Sequence, residues 1–210
     1  MIKIFLLLEG REAPFALTGQ AAAEEVRGLL PDIAGYVQTR AMGDAPFSGC
    51  AEFYFGTESG AGSLDPATLS SLFSGATRVA ASVSGDHRVV MRLPQFFKAP
   101  NVKGVYPFRR RVDLAVADFQ AYWWHTHGPI AALTEQALAY CQTHPMQSAY
   151  EYGEPDFDGV TEIFWPDMQS AESAVASRQM TEDQAGDAQN FVDLDSVMLF
   201  FGVEDVVIEP

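Results

Sequence analysis

The residues most able to do chemistry lie in one stretch, residues 119–129, which holds two of the four histidines. In a helix, Phe119, Trp123 and His127 are four residues apart and share one face. Pro129 disfavours helical backbone at the residue before it and has no N–H to donate to the preceding turn. The helix is therefore expected to kink or end there, which leaves His127 in a last turn.

A histidine in that position suits proton transfer. The negative end of the helix dipole favours an imidazolium, whereas the apolar face of Phe119 and Trp123 opposes the charge, so the pKa of His127 is predicted near neutrality. His127 is the first candidate general acid or base. A structural alternative is that it hydrogen-bonds carbonyls freed by Pro129. Trp123 is a candidate ligand contact, and core packing is its alternative.

A second polar group follows from strand alternation. Tyr140, Gln142 and His144 point to one side of a strand, and the smaller Ala139, Cys141 and Thr143 point to the other. We expect the small set beneath helices and the larger set in an internal cavity, with His144 as a second catalytic candidate. The same cavity is predicted to hold Tyr36, Gln38 and Arg40, with carboxylates from Glu52 and Glu162. The ligand-binding candidates are thus Tyr140, Gln142, Trp123, Tyr36, Arg40 and Glu162.

Buried carboxylates need partners, and Arg40, His144 or a tyrosine hydroxyl are expected to supply them. The functional interpretation is an acid/base pocket with a hydrophobic rim. A closed structural network is the alternative.

An internal repeat organises these residues. Residues 35–42 align with residues 139–146 without a gap and are identical at four of eight positions, and residues 47–55 answer residues 157–165. Two matches in the same order indicate duplication. The expected domains are residues 1–98 and residues 99–210.

Each half is predicted to have the order βαββαβ, which is ferredoxin-like. The predicted strands are Ile2–Glu9, Ile33–Met42, Cys50–Gly56, His87–Leu93, Lys103–Val112, Ala139–Met146, Gly159–Trp165 and Ser196–Val203. The predicted helices are Ala21–Leu30, Pro66–Ser74, Ala115–His127, Ile130–Leu138 and a broken Ala171–Gln189. A four-stranded sheet with helices on one face leaves its other face bare. Two such sheets can close on each other, so the fold class is α+β, with tandem repeats forming a single-chain pseudo-dimeric α+β barrel.

Composition excludes several classes of partner. The chain has 28 acidic and 13 basic residues, for a formal net charge of −15. Such a charge repels phosphate backbones and anionic lipids, so neither nucleic acid nor a membrane is expected as a partner. Cys50 and Cys141 are too few for a disulfide framework, which favours the cytoplasm and core positions for both thiols. His87 is expected at the surface.

No metal and no cofactor are predicted. Phosphate-loop, zinc-protease and nucleophile-elbow motifs are absent from the sequence. His125 and His127 are two residues apart on a predicted helix, so they diverge and would not readily chelate one metal ion.

The pattern Phe-x-x-Tyr-Trp-x-x-x-His-x-Pro, formed by Phe119, Tyr122, Trp123, His127 and Pro129, resembles the helix signature of the EthD family of dimeric α+β barrel proteins. The strands that contain Tyr140-x-Gln142-x-His144 and Phe157-Asp158-Gly159-Val160-x-Glu162 are similar to its second and third strands. The resemblance covers Lys103 to about Val203. The first half lacks the helix signature, and it has Arg40 at the strand position that aligns with His144.

The resemblance implies a protein for small hydrophobic, aromatic or polyketide-like molecules. The wider superfamily contains cofactor-free monooxygenases, lactone isomerases, cyclases and haem proteins, so fold analogy does not choose a reaction. The leading hypothesis is a cofactor-free enzyme that uses acid/base chemistry. The alternative is a non-catalytic ligand-binding or accessory protein. One chain is expected to supply the whole barrel, while exposed strand edges could still pair two copies as a homodimer.

Overall fold

The computed structural model describes residues 1–10, 13–61, 64, 69–98, 101–151 and 153–210. Two units follow each other along the chain, each with a central βαββαβ order. The strands are β1 Ile2–Glu9, β2 Ile33–Ala41, β3 Gly49–Phe55, β4 Arg78–Arg92, β5 Val102–Arg110, β6 Ala139–Pro145, β7 Gly159–Trp165, β8 Val192–Asp193 and β9 Phe200–Ile208. The α-helices are α1 Gly19–Leu29, α2 Glu58–Ala61, α3 Val116–Tyr122, α4 Gly128–Ala131, α5 Met168–Val175 and α6 Ala185–Ala188.

Eight of these strands close into one antiparallel barrel. The order around it is β7-β6-β4-β1-β3-β2-β9-β5, and β5 pairs with β7 to complete the ring. Within each unit the strands pair in ferredoxin-like order, and the units join where β2 meets β9 and β4 meets β6. The single-chain α+β barrel is therefore confirmed. Closure removes the sheet edges that would otherwise need a second chain.

The barrel has an inner core and two outer cores. Phe5, Leu7, Val83, Val105 and Phe200 fill part of the interior. Outside, α1 covers the first unit's strands over a leucine- and phenylalanine-rich cluster. The helices of the second unit cover β5, β6 and β7 over two aromatic clusters. Both faces of the central strands are consequently buried, and β3, β6 and β7 are buried along their whole length.

Several predicted elements need correction. β4 begins nine residues earlier than expected, at Arg78, and β9 lies further along the chain than the predicted Ser196–Val203. In the predicted helix Pro66–Ser74, residues 66–68 lie outside the described residues and residues 69–74 form turns and a bridge. The helix before Pro129 does not end but continues into α4, which stops at Ala131 rather than Leu138.

Within the described ranges, no helix is long and apolar enough to cross a membrane. Cys50 and Cys141 are both buried, as expected.

Candidate functional site

A small cavity lies between the second unit's strands and its helices. We call it the helix-side cavity, and its volume is about 220 Å³. β5, β6 and β7 supply one wall, and the helical segments and the chain after α6 supply the other. Its lining is Tyr106, Phe108, Trp123, His127, Tyr140, Thr161, Ile163, Met180, Gln184, Ala185, Ala188, Phe191, Val192, Leu194 and Val197. The walls are mainly apolar, which is the usual composition of a small-molecule site.

His127 lies in the helical wall of the cavity, and its imidazole is paired with a carboxylate. Its Nδ1 lies 2.8 Å from Oδ2 of Asp187. The hydroxyl of Tyr122 donates to Oδ1 of the same carboxylate at 2.7 Å, and the amide of Asn190 donates to that hydroxyl at 3.1 Å. Because a carboxylate accepts hydrogen bonds, Nδ1 of His127 carries the proton. The lone pair of the neutral ring is therefore on Nε2, which has no hydrogen-bonding partner among the described residues.

A π-helical turn, Trp123–His127, places the imidazole there. The N–H of Gly128 bonds to the carbonyl of Trp123, five residues earlier, and the Gln142 side chain donates to the same carbonyl at 3.2 Å. Pro129 lacks the N–H that an α-helical register would require, so the wider turn accommodates it. The predicted break is thus a change of helical register, and single π turns of this kind are frequent at functional sites.

Burial sets the charge state of the ring. His127 is 6% exposed. Desolvation lowers the pKa of His127 below its ordinary value, and the hydrogen bond and charge of Asp187 partly oppose that shift. The apolar surroundings predicted to oppose the charge therefore outweigh the groups that favour it, and the pKa of His127 lies below its ordinary value. A neutral imidazole with an available Nε2 can accept a proton at neutral pH, and the Asp187 carboxylate would then stabilise the imidazolium.

A second π-helical turn, Gln179–Gln184, flanks the cavity. The Gln184 amide donates to the hydroxyl of Thr134 at 2.8 Å and to the side-chain carbonyl of Gln179 at 2.7 Å. Gln179 in turn donates to the carbonyl of Ile130 at 2.8 Å. These bonds tie the turn to α4, so two irregular helical segments are held together beside His127.

The predicted strand faces are reversed. Tyr140, Gln142 and His144 lie beneath the helices of the second unit, whereas Cys141 faces the barrel interior. Tyr140 packs against Ala131, Ala171 and Trp165, and Cys141 packs with Ala139 and Phe164. The prediction placed small side chains under helices. The narrow interior of an eight-stranded barrel instead takes the small set, and the helices supply hydrogen-bonding partners for the large set.

Of the two candidate histidines, only His127 lines the cavity. The His144 ring stacks on Trp123 with 4.2 Å between ring centroids, and its Nε2 lies 2.8 Å from Oε1 of Gln142. Burial, followed by the charge of Arg88, lowers the pKa of His144 to about 3. Its buried Nδ1 has no partner among the described residues. His144 is therefore a neutral packing residue behind Trp123.

The first-unit candidates lie far from this cavity in the fold. Tyr36 stacks on Phe53 beneath α1, at 4.6 Å between centroids, and its hydroxyl accepts a bond from Gln38 at 3.0 Å. Gln38 also donates to the carbonyl of Leu17. Arg40 is exposed. The structure thus brings together His127, Trp123 and Tyr140, places Gln142 and His144 behind them, and separates Tyr36, Arg40 and Glu162.

Glu162 belongs to a cluster inside the barrel that we call the charge tetrad: Lys3, Glu52, Lys103 and Glu162. The four come from β1, β3, β5 and β7, and all are buried. Each lysine bonds both glutamates, including Lys3–Glu52 and Lys103–Glu162 at 2.6 Å. Burial would raise the pKa of Glu162, but the ammonium groups of Lys103 and Lys3 outweigh it and lower the pKa to about 2. Of the predicted partners, Arg40 and His144 are not involved, but a tyrosine hydroxyl is: Tyr54 donates to Glu52 at 2.8 Å.

The tetrad adjoins a second cavity, of about 520 Å³, at one mouth of the barrel. Lys3 pairs with Gly85 on β4, and His87 lies two residues after that glycine. In the same way, Lys103 pairs with Gly202 on β9, and Glu204 lies two residues after it. His87 is half-buried rather than at the surface as expected. Glu204 bonds Lys103 at 3.0 Å. The carboxylates of Glu52, Glu162 and Glu204 lie close enough to hold a cation, but the Lys103 ammonium already bonds all three.

Asp187 and Tyr106 were not found from the sequence. Asp187 is one of several acidic residues in a predicted broken helix, and periodicity alone does not show which of them faces a histidine sixty residues away. Tyr122 was noticed only within the helix pattern. A buried histidine needs a hydrogen-bonding partner, and that need was the one sequence signal that could have pointed to Asp187.

The EthD domain model matches residues 111–195, less than half of the chain. The match contains the π turn, β6, β7 and Asp187, and it confirms the resemblance of the second half. No curated protein sequence matches the chain. An ethyl tert-butyl ether D (EthD) family protein from Bacillus halodurans is 20% identical, with 49% of this chain and 96% of that chain covered and a TM-score of 0.40.

Two other solved structures cover the whole chain. A chlorite dismutase variant from Candidatus Nitrospira defluvii is 12% identical, with 100% of this chain and 91% of that chain covered and a TM-score of 0.58. A protein from Lactobacillus acidophilus assigned as a monooxygenase is 10% identical, with 100% and 98% covered and a TM-score of 0.53. At these identities the likeness shows the α+β barrel fold alone.

Proposed function

We propose that the chain, which carries an EthD domain in its second half, is an acid/base enzyme for a small hydrophobic molecule bound in the helix-side cavity. The observation that carries the proposal is the His127–Asp187 pair at the wall of that cavity. It has the two features of a general base: one ring nitrogen is oriented by a carboxylate, and the other has no partner in the part of the chain that the structure describes.

The chemistry follows from this geometry. Nε2 of His127 takes a proton from an acidic C–H or O–H of the ligand, and Asp187 stabilises the imidazolium that forms. Tyr122 holds the carboxylate in place. The proton then returns to the ligand at another atom or exchanges with solvent. Isomerisation, cyclisation and the deprotonation step of an oxygenation all begin in this way, so the site supports a reaction class rather than a substrate name.

The cavity also limits the ligand. Its volume lies below the roughly 300–1,000 Å³ usual for drug-sized ligands. A single aromatic ring or a short polyketide-like fragment suits it, and the aromatic side chains of Trp123 and Phe108 provide contact surface. We further propose that the reaction needs no cofactor, that the protein is cytoplasmic, and that its two domains are residues 1–98 and residues 99–210.

The test combines ligand discovery with isotope exchange. Small phenols and ketones are screened by thermal shift, and the hits are incubated in D₂O while deuterium uptake at acidic C–H positions is followed by NMR. His127→Gln should slow the exchange by roughly 10²-fold or more, the usual scale for losing a general base. The rate should rise with pH to a plateau and be half-maximal below pH 6.5, because burial lowers the pKa of His127.

His125→Gln is the matched control, because His125 is on the same π turn but is exposed. It should leave the exchange rate unchanged. Ligands that bind but show no exchange above the rate in buffer would favour the alternative, a non-catalytic binding or accessory protein.

A further inference from the structure

The walls of the helix-side cavity select the charge of its ligand. Among the described residues of the lining, none is Lys, Arg, Asp or Glu. A charged ligand would lose its hydration on entering, and without an opposite charge nearby that loss is not repaid. The carboxylate of Asp187, which is paired with His127, would repel an anion. A neutral ligand avoids both costs.

The same walls carry hydroxyl groups. Tyr106 on β5 lines the cavity, and its hydroxyl is shielded from water with no partner among the described residues. The hydroxyls of Tyr140 and Thr161 lie 3.4 Å apart on the neighbouring strands, which is a long hydrogen bond. The Tyr106 ring packs closely against Gly104. A Cβ added at Gly104 would lie only 3.1 Å from Cε2 of that ring and 2.9 Å from the Trp165 side chain, so a larger residue there would displace the tyrosine.

A buried hydroxyl without a partner is uncommon in folded proteins, because it has lost its hydrogen bonds to water and gained none in return. A ligand acceptor beside Tyr106 would restore that bond. The hydroxyl can donate to a carbonyl or ether oxygen, and the donor would also stabilise negative charge that develops on a carbonyl oxygen when a base removes the adjacent proton.

We infer that the natural ligand is a small neutral molecule with a hydrogen-bond-accepting oxygen, most simply a ketone or aldehyde, and that Tyr106 is the positioning residue that receives this oxygen. The inference rests on the proposed function, because it assigns the same cavity as the substrate site. It adds the charge class of the ligand and a residue that was absent from the predicted site.

Three probes of similar size separate the claims: acetophenone is neutral with an acceptor oxygen, ethylbenzene is neutral without one, and benzoate is charged. Dissociation constants are measured by NMR titration at pH 8, where His127 is neutral. Acetophenone should bind most tightly. Tyr106→Phe should weaken acetophenone binding about 5- to 10-fold, the scale of one hydrogen bond, and leave ethylbenzene binding unchanged. The variant should fold at least as stably as the wild type, since it loses a buried hydroxyl for which the described residues supply no partner.

Equal effects of Tyr106→Phe on acetophenone and ethylbenzene would overturn the role of the hydroxyl. Benzoate binding as tightly as acetophenone, or no saturable binding of any probe, would overturn the charge class. His127→Gln separates this inference from the proposed function. If the probe pattern holds while neither wild type nor His127→Gln exchanges deuterium into the acetophenone methyl group, the acid/base function fails and the ligand assignment stands.

Discussion

Two clusters of buried ionisable groups lie on opposite faces of the second unit's strands. Inside the barrel, every member of the charge tetrad bonds at least two opposite charges, and Glu162 is closed off from solvent. On the helix side, His127 lines a cavity, and among the described residues its ring is bonded at one nitrogen, to Asp187. Burial and charge alone therefore do not indicate function. What separates the clusters is whether a polar atom is left for a ligand.

Comparing equivalent positions in the two units separates the same two clusters. The tetrad takes a lysine and a glutamate from each unit, at matching strand positions, so it fastens the two halves of the barrel together. Among the described residues of the first unit, the His127–Asp187 pair has no counterpart, and Tyr36 and Gln38 are packed under α1 there. The shared cluster supports the fold, and the unshared one is the candidate site.

Removing one member of the tetrad is expected to have the largest effect. Glu162→Gln leaves two buried ammonium groups short of a partner, and the free energy of unfolding should fall by about 3–5 kcal/mol in urea titrations. Glu182→Gln, which breaks an exposed pair with Arg178, is the control and should change stability by less than about 0.5 kcal/mol. Similar losses in both variants would remove the structural role of the tetrad.

Burial of the neutral His144 side chain should make the free energy of unfolding depend on pH. The pKa of His144 is lowered from 6.5 to about 3, so the unfolded chain binds a proton that the folded one does not. Stability linked to His144 is thus complete above pH 6.5 and lost as the pH falls toward 3. Between pH 7 and 5 the wild type should lose up to about 2 kcal/mol more than His144→Phe. Parallel pH curves for the two proteins would contradict this.

The carboxylate behind His127 should matter for rate more than for stability. Asp187→Asn removes the charge that stabilises the imidazolium, so deuterium exchange should slow by about 10-fold or more. Loss of the anion should also lower the pKa of His127 further and move the acid limb of the rate profile to lower pH. Asp183→Asn, an exposed neighbour paired with Arg178, is the control. An unchanged rate and profile for Asp187→Asn would show that the pair is structural.

The smallest effect is expected at Arg40. Its side chain is exposed and lines none of the cavities described above. Arg40→Ala should leave both ligand affinity and the free energy of unfolding within about 0.5 kcal/mol of the wild type. Weaker ligand binding in this variant would return Arg40 to the candidate site.

Much of the architecture followed from local signals. Alternating apolar strands bounded by Pro and Gly, together with the paired Tyr-x-Gln segments, predicted the element order and the closed barrel. β1 and β7 have the predicted bounds. Failures occurred where local pattern is weak, at the turns of residues 69–74 and at the early start of β4, where pairing with β1 extends a strand beyond its apolar run.

Because Pro129 cannot donate the backbone bond that a regular helix needs there, the sequence predicted a kink or an end of the helix beside His127, and the structure has a π turn at that place that continues into α4. The sequence did not determine which strand face meets the helices. Strands such as β6 are buried on both faces, so alternation shows two sets of side chains but not which set is inside. The partners Asp187 for His127, and Lys3 and Lys103 for Glu162, are far away in the sequence, and only barrel closure and helix packing bring them together.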